Sequence, residues 1–145
     1  MTSRERLIAA INHQPVDRIP FDLGSTSVTG IHVSSLHALK VLLGLISPQE
    51  PVKVINPLLM LGEVDETLRK KLAIDTIALP TLGNSFGFEN DNWKPWKLFD
   101  EHQFWFQENL TLYQTRMVIF YNIPKVIGGI NLQLVCQMVV STMIL

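Results

Sequence analysis

The stretch Thr2–Leu23, TSRERLIAAINHQPVDRIPFDL, changes its hydrophobic period half-way, and this change decides the predicted fold. Thr2 and Glu5 have the spacing of a capping box, in which each side chain satisfies a free backbone amide of the other residue. Pro15 ends the helix that follows, because proline cannot continue the hydrogen-bond ladder. The apolar residues between these signals share one helix face: Leu7, Ile8 and Ile11.

The second half of this stretch has the period of a β-strand. Ile19, Phe21 and Leu23 alternate with polar or proline neighbours, which predicts a first strand. A small, hydroxyl-rich loop, GSTSVTGIH, follows it. We expect a second helix to begin near residue 31 or 32, with the cap near residues 29–30. Gly44 supplies a C-terminal stop for that helix.

The chain then continues the alternation of helix and strand. The segment 47–61 has three prolines and predicts loop with a short extended piece. GEVDETLRKKLAID, residues 62–75, predicts a third helix, and IDTIALP, residues 74–80, a second strand. Residues 83–100 are rich in Gly, Asn and aromatic residues and predict a long loop. The order helix, strand, helix, helix, strand predicts an α/β fold with parallel strands.

The composition limits the function classes. A chain of 145 residues suits one domain, and its formal net charge of -1 gives no reason to expect nucleic acid or an anionic membrane as a partner. A single cysteine excludes an internal disulfide framework and favours a reducing compartment. The start, MTSRERLIAAI, is too polar for a secretory signal, so we expect a cytoplasmic protein.

Three sequence blocks resemble one known enzyme family. They are TSRERLIAAINHQPVDRIPFDLGSTSVTGIH, EVDETLRKKLAIDTIAL and NWKPWKLFD, in this order. In this combination the first hundred residues resemble the amino-terminal part of the uroporphyrinogen decarboxylase superfamily. That superfamily also contains methyltransferases that move methyl groups to and from corrinoid proteins and thiols. The DLG sequence followed by a Ser/Thr-rich loop is most similar to the methyltransferase-like branch.

The resemblance implies a fold and a set of partners. The family fold is a (β/α)8 TIM barrel, so residues 1–100 would supply a partial barrel with the first strands only, and the site would lie at the carboxyl ends of the strands. The decarboxylases bind the carboxylates of a tetrapyrrole with an arginine-bearing motif, but no arginine lies between Arg18 and Arg69. A methyltransferase acting on a small molecule or a corrinoid protein is therefore the better expectation. The family's zinc ligands, His and Cys, come late in the barrel, beyond any match here.

The resemblance also places candidate site residues on the loop after the first strand. They are polar and would line the mouth of the barrel: Asp22, Ser25, Thr26, Thr29 and His32. The alternatives are structural, because serine and threonine also fill turns and cap helices, and a histidine can lie in the first turn of a helix without a further role.

Other polar and aromatic residues favour structural roles. We expect Asp17 and Arg18 to form a local turn or an ion pair rather than a site. Trp93 and Trp96 could stack on a ligand, but such aromatics more often hold a loop on the core. Cys136 has no His or second Cys at ligand spacing, so no metal site is expected there.

Residues 101–145 differ in character from the rest. They hold only four of the 25 charged residues, and the last twenty residues, Val126–Leu145, carry no charge. Twenty uncharged residues are about enough for a membrane-spanning helix. Asn and Gln in the middle, and the lack of a flanking basic cluster, disfavour such an anchor.

A shifted reading frame accounts for this tail. When the third base of each codon is read with the first two bases of the next, residues 102–111 can spell SVLVPGKFN and residues 136–145 can spell PNGGIYYDS, both similar to the continuation of the family. Several of these residues are forced, for example Leu from Phe104–Trp105 and Val from Trp105–Phe106. The hypothesis is that residues 101–145 are an out-of-frame, irregular tail. The alternatives are a small membrane-anchored protein and a stand-alone interaction module.

Overall fold

The computed structural model describes residues 1–79, 83, 91–97, 103–107, 111–114, 118–127 and 130–139. Three helices lie in the first half of the chain: α1 (Ser3–Ile11), α2 (Val33–Leu42) and α3 (Glu66–Lys71). The described strands are β1 (Val52–Asn56), β2 (Leu61–Gly62), β3 (Trp93–Lys97), β4 (Gln103–Gln107), β5 (Thr111–Gln114), β6 (Val118–Ile127) and β7 (Ile130–Val139). The α/β class predicted from the sequence is confirmed.

Side chains cap the beginning of each helix. At α1 the predicted capping box is present, because Glu5 N donates to Thr2 Oγ1 and Thr2 N donates to Glu5 Oε2 at 2.8 Å. Asp65 begins α3, and its carboxylate accepts a hydrogen bond from the Leu68 amide at 3.0 Å. These acceptors satisfy amides that have no partner within the helix.

All three helices end in the same way. In each, the residue after the C-cap has a positive φ: His13 at 55°, Gly44 at 67° and Ala73 at 52°. At α2 the Gly44 amide donates to Val41 O, and the Leu45 amide donates to Lys40 O at 2.9 Å. This pair of bonds is the Schellman motif, which satisfies the last helical carbonyls. The predicted stop at Gly44 is therefore confirmed.

The principal sheet has four strands in the order β2-β1-β4-β3. β1 pairs antiparallel with β2 and parallel with β4, and β3 pairs antiparallel with β4. The helix α2 and the residues before α3 pack on this sheet, because their apolar side chains are removed from water there. The buried core consists of Val33, Leu36, Val52, Val54, Met60, Leu68, Phe104 and Phe106.

Three further strands form a separate antiparallel sheet in the order β5-β6-β7. The longest pairing joins β6 and β7, from Val118 opposite Val139 to Ile127 opposite Ile130. The prediction of an irregular tail is therefore wrong for the residues described after 101, because their backbone amides and carbonyls pair in sheet ladders. No helix within the described part of the chain is long and apolar enough to cross a membrane.

Three local predictions also differ from the structure. Residues 19–23 and 74–79 form no strand, although the Asp75 amide of the second segment donates to Phe21 O of the first. A strand, β3, lies inside the segment predicted as a long loop, while residues 84–90 of that segment lie outside the described residues. The described strands form a mixed sheet rather than a run of parallel strands, since β1 has one parallel and one antiparallel neighbour.

Candidate functional site

The loop between Gly24 and Gly30 is held in one shape by its own hydrogen bonds. The Gly24 amide donates to Thr29 O at 2.8 Å, and the hydroxyls of Thr26 and Thr29 lie 3.2 Å apart. Gly24 has a φ of +80°, and a Cβ added there would lie 2.5 Å from Val64 Cγ2. The loop therefore needs glycine at this position, both for its backbone conformation and for its contact with the chain before α3.

Asp22 fixes the start of this loop. Its carboxylate accepts hydrogen bonds from Ser25 Oγ at 2.7 Å and from the Ser25 amide at 3.3 Å. It also accepts a hydrogen bond from the Thr76 hydroxyl, on the neighbouring extended segment. Burial raises the pKa of Asp22, but the hydrogen bonds from Thr76 and Ser25 outweigh this effect and hold the pKa below its ordinary value. Asp22 is thus a stable anion that orients Ser25.

A buried ion-pair network lies behind the loop. Asp75, whose side chain is fully buried, contacts the guanidinium groups of Arg6 and Arg18, the latter at 2.7 Å. Arg6 also contacts Asp17 at 2.6 Å. The hydrogen bond from Arg6 lowers the pKa of Asp17. Of the predicted alternatives for Asp17 and Arg18, a local turn or an ion pair, the structure shows ion pairs, with Arg6 and Asp75 as the partners. The two residues also contact each other locally, because the Arg18 amide donates to Asp17 Oδ1 at 3.0 Å.

A cleft of about 850 Å³ opens beside the loop. The loop forms one wall, and the β1–β2 pair with the residues that follow it up to Glu66 forms another; residues 77–79, Gly83 and Trp93 also line the cleft. Both apolar and polar side chains line it. The lining includes Ser25, Lys53, Ile55, Leu61, Glu63 and Trp93.

The structure separates the predicted site residues into two groups. Ser25 and Thr26 line the cleft. Asp22 and Thr29 are not part of its lining and instead hold the loop through the bonds given above. His32 is exposed and begins α2, with its Nδ1 accepting a hydrogen bond from the Ser34 amide at 3.3 Å. The position of His32 matches the structural alternative, a histidine at the start of a helix.

Several residues of this region were not predicted. Thr76 bonds to Asp22 across the two extended segments, and Lys53 and Glu63 meet at the edge of the cleft. The alternation of Val52, Lys53 and Val54 in the sequence is a signal for a strand with Lys53 on its open face. Nothing in the sequence indicated which residues would lie opposite them.

The tryptophans of β3 have different roles. Trp96 stacks edge-on against Phe106, with ring centroids 5.3 Å apart, so it holds the strand on the core as the sequence favoured. Trp93 lines the cleft, and the Lys53 ammonium lies 5.5 Å from its ring centroid.

A buried lysine joins two helices near the cleft. Lys40 of α2 is only 5% exposed and forms an ion pair with Asp65, the residue that caps α3. Burial raises the pKa of Asp65, but hydrogen bonds from Lys40 and from the Leu68 amide outweigh it and lower the pKa overall. This pair fixes the cleft wall after β2 against α2.

Within the described residues, no three His, Cys, Asp or Glu side chains lie close enough together to hold a metal ion. The zinc that the family resemblance implies therefore has no fitting donor set in the described residues. Comparison with protein-family models, with curated proteins and with solved structures finds no match to this chain.

Proposed function

We propose that residues 1–100 are the amino-terminal part of an enzyme of the uroporphyrinogen decarboxylase superfamily, of the methyltransferase-like type. The observation that carries this proposal is the position of the hydroxyl-rich loop. Ser25 and Thr26 line the cleft, and Asp22 holds Ser25 in place from behind. A loop of this kind, directly after an extended segment, is where enzymes with parallel strands bind their ligands.

The two segments that were expected to be barrel strands also support the proposal of an enzyme fragment. Residues 19–23 and 74–79 run side by side, joined by the hydrogen bond from the Asp75 amide to Phe21 O at 2.8 Å. Asp22 and Thr76 then meet at the next position along both segments. Neighbouring strands of a partial (β/α)8 barrel would stand in this relation, and their following loops would share one mouth.

The charges of the cleft favour methyl transfer over porphyrinogen decarboxylation. A tetrapyrrole substrate carries several carboxylates and needs several cationic side chains to bind it. Of the described residues that line the cleft, Lys53 is the only lysine or arginine. A smaller substrate, or the cofactor of a corrinoid protein, makes less demand for positive charge. The zinc and the corrinoid-protein contact would then belong to the later part of such an enzyme, in the cytoplasm.

The test is an assay of the frame-restored chain. The continuous enzyme, read in the other frame after codon 100, is expressed and assayed for corrinoid-dependent methyl transfer and for porphyrinogen decarboxylation. We expect methyl transfer, with a Ser25→Ala variant raising KM and a Ser47→Ala variant, at an exposed position, behaving as the parent. Decarboxylation alone would assign the chain to the other branch. A folded enzyme with neither activity would reject the proposal.

A stand-alone binding module is the second candidate, and one observation favours it. β4 lies in the middle of the principal sheet, between β1 and β3, with Phe104 and Phe106 fully buried. A chain truncated after Asp100 separates the two candidates. If the truncated chain keeps the helical circular-dichroism signal of α1–α3 without β4, residues 1–100 fold by themselves, and this result supports the enzyme fragment. If the truncated chain unfolds, the 145-residue module is the folding unit.

A further inference from the structure

Lys53 and Glu63 face each other across the β1–β2 pair at the edge of the cleft. The backbone sets this relation, because Val54 is paired with Gly62 and the Glu63 amide donates to Lys53 O at 2.9 Å. The two side chains consequently project to the same side of the sheet. Both line the cleft, and their charged atoms are 3.8 Å apart.

This ion pair adds little to the stability of the fold. A separation of 3.8 Å exceeds the length of a hydrogen bond, and the two side chains are 44% and 46% exposed. Exposed pairs of this kind contribute about 0–1 kcal/mol. A ligand can therefore separate Lys53 from Glu63 at small cost and bind both charges.

The other carboxylates of the cleft have closer partners. Asp65 pairs with the buried Lys40, and Glu66 contacts Lys70 at 2.8 Å within α3. An incoming ligand would have to break these closer pairs to reach those carboxylates. Among the described ion pairs, the Lys53–Glu63 pair is the one whose two members both line the cleft, and its charged atoms are not within hydrogen-bond distance.

The residues around the Lys53–Glu63 pair indicate which other groups a ligand of the cleft would carry. Trp93 holds the Lys53 ammonium near its ring face, 5.5 Å from the centroid, an arrangement that positions the cation at the cleft edge. Ile55 and Leu61 contribute apolar side chains to the lining of the cleft. Ser25 gives its hydroxyl proton to Asp22, so the lone pairs that remain on its oxygen make it an acceptor toward the cleft.

We propose that the cleft binds a small zwitterion, a molecule of the α-amino-acid class with an ammonium and a carboxylate on the same carbon atom and an apolar body. Its carboxylate pairs with Lys53, its ammonium pairs with Glu63, and its body packs on Ile55 and Leu61. One weak ion pair is replaced by two, so the charges stay balanced within the cleft. The proposal rests on the cleft that the proposed function uses, and it names the class of ligand.

The test measures binding of three matched probes to the 145-residue chain by calorimetry: L-leucine, L-leucine methyl ester and N-acetyl-L-leucine. The ester keeps the ammonium alone, and the acetyl derivative keeps the carboxylate alone. We expect L-leucine to bind at least tenfold more tightly than either derivative. If the ester binds as tightly as L-leucine, the cleft recognises the ammonium alone. If the acetyl derivative binds as tightly as L-leucine, the cleft recognises the carboxylate alone. Either result, or no binding of L-leucine at all, would overturn the proposal.

Charge-neutral variants assign the contacts. Lys53→Gln should remove the preference for L-leucine over its methyl ester, and Glu63→Gln should remove the preference over the acetyl derivative. Lys71→Gln, an exposed lysine on α3 away from the cleft lining, is the matched control and should bind as the parent. Unchanged preferences in both cleft variants would overturn the assignment. Methyl transfer by the frame-restored enzyme without L-leucine binding would reject the zwitterion alone and leave the proposed function standing.

Discussion

Phe21 and Asp75, 54 residues apart in sequence, are joined by a pair of reciprocal hydrogen bonds. The Asp75 amide donates to Phe21 O at 2.8 Å, and the Phe21 amide donates to the Asp75 carboxylate at 2.9 Å. The second bond uses a side-chain oxygen where a sheet ladder would use a carbonyl. Asp75 thereby joins the two segments and, through its ion pair with Arg6, ties both to α1; its second partner, Arg18, lies just before the first segment.

Asp75→Asn should destabilise the chain strongly. Asparagine keeps the size of the side chain but removes the charge that Arg6 and Arg18 contact in a fully buried position. Breaking a buried ion pair by removing one partner costs about 3 kcal/mol or more. Urea unfolding followed by circular dichroism measures the loss. Asp91→Asn, at an exposed aspartate, is the control, and equal stability of the two variants would contradict the network.

Acid should unfold the chain in a window set by the same aspartate. Burial of Asp75 raises its pKa, but hydrogen bonds from the Phe21 amide and from Arg6, with the nearby charge of Arg18, lower it from 3.8 to about 2. A pKa depressed in the folded state gives stability that is complete above the unfolded value. Stability should therefore hold above about pH 4 and fall as the pH drops toward about 2. The Asp75→Asn variant should lose less stability over this pH range than the parent chain. An unchanged slope of stability against pH would contradict the role given to Asp75.

Ala73→Gly should stabilise the chain. Ala73 ends α3 with a φ of 52°, a conformation that costs an L-residue about 1 kcal/mol and glycine nothing. The same substitution at Ala38, an exposed position inside α2, should instead destabilise by about 1 kcal/mol. Thermal unfolding of both variants gives the comparison. Shifts of the same sign would show that the end of α3 does not carry the predicted strain.

Gly24→Ala should cost more than Gly44→Ala. Both glycines have a positive φ, so both variants are strained, but only Gly24 also lacks room, with Val64 Cγ2 2.5 Å from the added Cβ. Gly44 has no atom within 4 Å of such a Cβ. The excess, about 1–3 kcal/mol of overpacking, measures the contact of the loop with the chain before α3. Equal losses in denaturant unfolding would show that this contact is not rigid.

Local signals in the sequence predicted the features that depend on neighbouring residues. The capping box of Thr2 and Glu5 and the stop at Gly44 each involve atoms within a few residues, and both are confirmed. The sequence also predicted the helix α3, although the helix is shorter than the predicted residues 62–75 and spans Glu66–Lys71. In these cases the sequence itself contains both partners of the interaction.

Pairing over long distances could not be predicted in this way. The alternation of Ile19, Phe21 and Leu23 predicted a strand, but whether a strand forms depends on what the Phe21 amide meets. It meets a carboxylate 54 positions away rather than a neighbouring carbonyl. The same limit explains why Thr76 and the Lys53–Glu63 pair were missed. Each acquires its role from a partner that periodicity does not reveal.

The segment after Asp100 shows how composition can mislead about structure. Its low charge raised the question of a membrane anchor, and its shifted frame led to the expectation of an irregular tail. Yet Phe104 and Phe106 pack in the core, and residues 118–139 contain β6 and β7. Apolar, β-prone residues can form ladders whatever the origin of their codons. The out-of-frame origin of this segment remains a prediction, independent of the strands it forms.

The nucleotide sequence around codon 100 shows whether residues 101–145 are read out of frame. If residues 1–100 begin a methyltransferase-like enzyme, the other frame after that codon should continue without a stop and should encode SVLVPGKFN at the position of residues 102–111. It should reach PNGGIYYDS at the position of residues 136–145. Stop codons, or a translation unrelated to both segments, would contradict the account and leave the 145-residue binding module in its place.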